Sequence, residues 1–312
     1  MDSSMNNVPR RRKKRPLRSL DGSPYRQTDR DLWLLEALAK MQFLTTRQIA
    51  RLLFNGSQSA ANKRLRKLLD SGWVRVWVPS LNRDNIYGLT PLGRRLLLEG
   101  LVGVDAAARC PRQLDGRIDH LLAVNAVRIA LATTVPDSDG ELLWWRSDWD
   151  LRAHSRQRTI PDGLFAIRWP GLGDYVFALE VEHGTRAPRS FQAKLLRYSA
   201  VSSHRGGIYG ETNPVVLVVG NDPTWLARYR AALAPMPVRV TIGFASLANV
   251  ERHGAIGAVW QTLTDDRHHS LRTLATLPYR SEPSAPELRA KSRPCAACAA
   301  HDSASRTSNE NK

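Results

Sequence analysis

Cysteine is scarce in this chain: three in 312 residues, none at the spacing of a disulfide framework. That argues for a reducing compartment and against a fold stapled by bridges. Long apolar runs are also missing. No stretch approaches the ~20 residues that span a bilayer, and the basic block near the N-terminus lacks the apolar segment of a secretory signal. A cytoplasmic protein with no membrane partner is the expectation. Acidic residues are in deficit, 29 against 46 Lys and Arg, which leaves a net charge of +17. The imbalance is uneven: residues 1–30 hold nine basic and three acidic side chains, and residues 31–100 hold eleven and five. Most of the excess therefore lies in the first hundred residues, pointing to a polyanionic partner for that third, most simply nucleic acid. What the chain does have is 42 % hydrophobic residues over a length that suits two domains with cores.

Residues 1–28 read as a disordered basic arm. Arg10 to Arg15, with Arg11, Arg12 and Lys13 at its centre, sits among Ser, Asn and Pro without periodic apolar residues. It is a candidate phosphate-contacting arm. From residue 29 the pattern turns helical. Leu32, Leu35, Leu38 and Ala39 share a face, with Thr28 or Asp29 as cap. A short helix capped by Thr45 runs to Phe54, and Asn55-Gly56 breaks it. Residues 57–70 form a third helix with Ala61, Leu65, Leu68 and Leu69 inward. Its other face carries Gln58, Asn62, Lys63, Arg66 and Lys67, donors suited to phosphates and base edges. Strands are expected at 73–78 and 86–90, joined by a polar turn with Arg83, then a helix over 91–99 begun by Thr90 and Pro91. This order resembles the winged-helix DNA-binding fold over 29–100. It implies that helix 57–70 enters a major groove and that the 79–85 tip reaches backbone or minor groove. A winged helix that binds protein is the other reading.

After a linker (101–116), residues 117–280 read as a second domain. The expected order is a helix over 119–131, strands from 142 to about 149, over 160–168 and over 175–182, a helix over 188–202, and a strand over 215–219. A helix over 223–234, a strand over 238–244 and a weaker pattern near 259–263 follow. The fold class is thus α+β: a winged helix-turn-helix, then an α/β domain with a central mixed sheet. Ile160-Pro-Asp-Gly opens one strand and Ala178-Leu-Glu-Val-Glu closes the next, so Glu180 and Glu182 share a sheet face. Lys194 and Arg197 follow on a helix. Acids with an ammonium at strand ends are the composition of a divalent-metal site for phosphodiester chemistry, and equally of a buried ion-pair cluster.

The order, with Pro161-Asp162 and Glu180, resembles the restriction-endonuclease-like PD-(D/E)xK superfamily. This chain has Glu182 where that pattern has lysine, and Lys194 is the candidate replacement. A winged helix followed by His120 and Asn125, Pro161-Asp162-Gly163, Glu180 to Thr185, and Lys194 with Tyr198 resembles the replication-relaxation family of bacterial plasmids and mobile elements. The resemblance implies Mg²⁺ or Mn²⁺ on Asp162 and Glu180, a catalytic set of Asp162, Glu180, Glu182 and Lys194, and His120 and Arg197 as accessories. A lone helix histidine such as His120 is otherwise a hydrogen-bonded structural group. No nucleotide cofactor is expected. In the tail (281–312), read as disordered, Cys295, Cys298 and His301 fall short of the four ligands of a structural zinc site, so zinc is not expected there.

Two functions compete. One is a DNA-binding protein of a bacterial mobile element in plasmid replication, relaxation or transfer, associated with nucleoid or plasmid, nicking DNA with a metal. Its partners are double-stranded DNA and other replication or transfer proteins, with a homodimer as one form. The other is a non-enzymatic winged-helix regulator whose second domain is an inactive nuclease-like module for dimerisation or a partner. A defence or anti-defence nuclease is a third option.

Overall fold

The computed structural model describes residues 27–80, 82–100, 110–154, 159–182, 188–202, 214–235 and 240–277. Helix α1 (Asp29–Met41) begins where Thr28, in an extended conformation, gives its N–H to the Asp31 carboxylate at 2.8 Å. Strand β1 (Phe43–Thr45) follows directly. Three residues are too few to show a period, and the sequence pattern gives no sign of this strand. Thr45 and Gln48 exchange side-chain and backbone hydrogen bonds at 3.0 and 3.1 Å, a capping box that starts α2 (Thr46–Leu53). Ser57 caps α3 (Gln58–Asp70), and Gly72, at φ +71°, turns the chain out of it. Strands β2 (Val74–Trp77) and β3 (Ile86–Leu89) pair antiparallel, β1 joins the other side of β3, and α4 (Pro91–Gly100) closes the unit. Leu34, Leu38, Ile49, Leu65, Leu68, Val74 and Leu89 form its core.

Helix α5 (Ile118–Thr134) is apolar on nearly all sides, as a helix buried on more than one face must be. Val124, Val127 and Leu131 pack on the large sheet, while Ile129 packs into the N-terminal core. Polar groups seal the second contact. Asn125, 1 % exposed, donates its side-chain amide to the carbonyls of Met41 at 3.0 Å and Phe43 at 2.8 Å. Gln48 donates to the Leu122 carbonyl at 2.7 Å, and Arg128 to the Lys40 carbonyl at 3.0 Å. One helix thus belongs to both cores.

The second sheet has the order β4 (Glu141–Ser147), β5 (Gly163–Trp169), β6 (Gly173–Glu182), β7 (Val215–Gly220), β8 (Ile242–Ser246). The first three strands run antiparallel and the last two parallel to β6, so the sheet is mixed and the fold α+β. Helix α7 (Pro188–Ser202) connects β6 to β7, and α8 (Pro223–Leu233) connects β7 to β8. Both faces are covered. Phe165, Phe177 and Leu217 meet α5, whereas Leu164, Ala178, Val216 and Val218 join the cluster of Phe191, Leu195 and Tyr229 from α7 and α8. That double burial explains the unbroken apolar runs of β5 and β7.

Several boundaries differ from expectation, and two of them have a local cause. The strand expected to reach Trp149 stops at Ser147, because Asp150 accepts the Ser147 N–H at 3.2 Å and starts α6 (Asp148–His154). Strand β8 starts at Ile242 and gives way at Ser246, which caps α9 (Leu247–His253). Helix α10 (Leu271–Thr276) packs its Leu271 and Leu274 on the α5 side of the sheet. No helix among the described residues is long and apolar enough to cross a membrane.

Candidate nucleic-acid interface and buried acid cluster

Alternation along α3 decides which of its side chains can meet a partner. Ala61, Leu65 and Leu68 are buried, so Gln58, Asn62, Lys63, Arg66 and Lys67 are presented outward, all exposed. Arg64 is the exception among the basic residues of this helix. Its guanidinium forks onto both oxygens of Asp31, which is fully buried, and reaches the Thr28 hydroxyl at 2.7 Å. A bidentate pair of this kind fixes α3 against the start of α1. Arg83, in the β2–β3 turn, donates to Asp119 of α5 at 2.6 Å. The arm residues Arg11, Arg12 and Lys13 and the tail residues Cys295 and Cys298 lie outside the described residues.

The acid cluster forms where β5, β6, α5 and α7 meet. Asp162 precedes β5 and is tied to β6: its own N–H donates to the Leu179 carbonyl at 2.9 Å, and its carboxylate accepts the Val181 N–H at 2.8 Å. Gly163 follows because the Trp145 ring lies there. A Cβ would come within 2.4 Å of that ring. The other Asp162 oxygen stands 3.1 Å from His120 Nε2 at the start of α5. Burial alone would raise this carboxyl; the His120 hydrogen bond and charge, the Lys194 charge and the Val181 N–H instead hold it below its ordinary value.

Glu180 is 1 % exposed. Lys194 Nζ donates to one of its oxygens and the Tyr198 hydroxyl to the other. Burial pushes its carboxyl up to about 7, against the opposing pull of Lys194 and with help from the Asp162 charge. Glu182 is buried two residues on, and Arg197 is exposed on α7. The structure therefore brings Asp162, His120, Glu180 and Lys194 together, while Arg197 is exposed to solvent. Tyr198, 0 % exposed, completes the Glu180 site. Its sequence signal is its place four residues after Lys194, on the same helical face.

The donor set can be tested against a divalent cation. Both oxygens of Asp162 and both of Glu180 already face a donor. A Mg²⁺ on the Glu180 oxygen that accepts from Lys194 would stand beside the ammonium, where two unit charges 4 Å apart repel by about 4 kcal/mol at an effective dielectric of 20 and a double charge by twice that. Among the described residues no group of three or more His, Cys, Asp or Glu is placed to hold a metal ion. A cation on Asp162 or Glu180 would therefore have to displace one of the donors already there: His120, the Val181 N–H, Lys194 or Tyr198.

The family model for replication-relaxation matches residues 35–216, more than half the chain. The chain belongs to the replication-relaxation family. No curated protein and no solved structure matches it. The matched span of this family member begins in α1, includes α5 and the whole acid cluster, and ends in β7. Asp119 and Asn125 of α5 escaped sequence reasoning as contacts. Asn125 had one signal, a lone amide in an apolar helix.

Proposed function

We propose that this replication-relaxation protein binds double-stranded DNA through a winged-helix unit, with α3 in the major groove, and acts in the replication and relaxation of a bacterial mobile element. One observation carries the reading: α3 buries only apolar side chains and presents Gln58, Asn62, Lys63, Arg66 and Lys67 together to solvent. Amides on the same face as cations serve base edges as well as phosphates, whereas a merely solvated helix needs no such set. Asp162 with His120 and Glu180 with Lys194 act here as two closed contacts that hold β5, β6, α5 and α7 together, so the second unit serves as a nuclease-like platform. A partner protein or second copy docked on that platform would fit the regulator reading. The test is fluorescence anisotropy of a labelled duplex with the full chain. Changing Lys63 and Arg66 to Ala is expected to weaken binding at least tenfold, since a single base contact contributes about 1–3 kcal/mol. Unchanged affinity in a variant that still folds would remove α3 as the reader.

A further inference from the structure

In the arrangement just proposed, the β2–β3 turn is the wing tip, and its arginine is already engaged. Arg83 Nη2 lies 2.6 Å from Asp119 Oδ1, a contact that crosses from the N-terminal unit to α5. Arg47, in the first turn of α2, stands 3.5 Å from Asp84 of the β2–β3 turn. The Thr46 N–H donates to the Asn85 carbonyl at 3.1 Å, so the turn that carries Arg83 lies against the start of α2, which carries Arg47. Both guanidiniums are open to water, Arg47 at 74 % and Arg83 at 54 % exposure, and Asp119 is equally open at 55 %. Exposed ion pairs of this kind hold weakly. A guanidinium that donates to a carboxylate can donate equally to a phosphate, and a polyanion with many phosphates competes well for it. The excess positive charge of residues 1–100 selects that polyanion over an acidic patch on a protein.

We propose that Arg47 and Arg83 form a second phosphate-contact surface for the duplex backbone, with Asp119 as the counter-ion that a phosphate displaces from Arg83. This rests on duplex binding by α3. Asp119 then acts as an intramolecular competitor that lowers affinity until DNA supplies a better partner. The same contact gives the hairpin tip a weakly held resting place on α5.

The test is a double-mutant cycle on duplex affinity with the full chain and a labelled random-sequence duplex. Asp119→Asn is expected to tighten binding roughly two- to fivefold, the worth of an exposed pair. In an Arg83→Ala background the same change is expected to give no gain. Arg47→Ala is expected to lower the slope of log affinity against log salt by about one. An equal gain from Asp119→Asn in both backgrounds would show a general charge effect and overturn the proposal, as would no gain at all or an unchanged slope for Arg47→Ala. If the Lys63 and Arg66 variant binds as wild type, the α3 reading fails as well. If that variant weakens binding while the cycle is additive, only the present proposal falls.

Discussion

Glu180 shows how one residue can be legible in type and illegible in state. A carboxylate two residues from a strand end, followed by a lysine on the next helix, marks a polar site from sequence alone. That Glu180 is sealed by Lys194 and Tyr198 depends on how α7 lies across the sheet, which no local pattern encodes. Its pH behaviour follows from the raised carboxyl. With a folded value of about 7 against an ordinary value of 4.5, the folded state holds the proton more tightly than the unfolded state. Stability from this group is therefore fully present below about 4.5 and lost as pH rises through about 7. Asp162 has the opposite sign: held below its ordinary value, it stabilises at higher pH and loses that contribution only as pH falls through its folded value. Urea midpoints at pH 5 and pH 7.5 should show wild type losing on the order of 1–3 kcal/mol that Glu180→Gln does not lose. An equal pH dependence in both proteins would mean that Glu180 is not the titrating group. Since both pairs are closed, supercoiled plasmid with Mg²⁺ or Mn²⁺ is expected to show no nicking beyond that of Asp162→Ala. Nicking that disappears in Asp162→Ala would restore the catalytic reading.

At the scale of elements, α5 does most to set the geometry. Its first turn places Asp119 on Arg83 and His120 on Asp162, so adjacent residues hold different units. Its middle places Asn125 against the two carbonyls that flank the turn into β1. Sequence periodicity gives this helix over 119–131, which the structure extends to Ile118–Thr134, and its apolar character. It cannot tell which apolar face meets which core, and so an expected linker followed by a new domain leaves out the contact between them. The short strand β1 is illegible for the same reason: its pairing with β3 and its contact with α5 are both tertiary. Asn125→Ala strands two buried carbonyls and is expected to cost about 1–3 kcal/mol. A urea denaturation series checks this, together with faster amide exchange at Phe43–Thr45. Unchanged stability would show that water or a neighbour replaces the amide.

For the whole molecule, the order of the longer elements, the mixed sheet and the basic N-terminal unit were within reach of sequence, because long amphipathic helices and doubly covered strands leave strong patterns. The state of the acid cluster was not, because it depends on how α5 and α7 meet the sheet. Duplex binding through α3 is the central proposal, and it rests on the exposed donors of that helix and on the placement of positive charge. The most direct test of that claim is duplex affinity measured across a salt series for wild type and for the chain with Lys63 and Arg66 changed to Ala. Wild type is expected to show a steep negative slope of log affinity against log salt. The variant should bind more weakly, with a slope shallower by about 1.8 if both side chains meet phosphates and by less for any that reads a base. Parallel lines of equal affinity for the two proteins would contradict it.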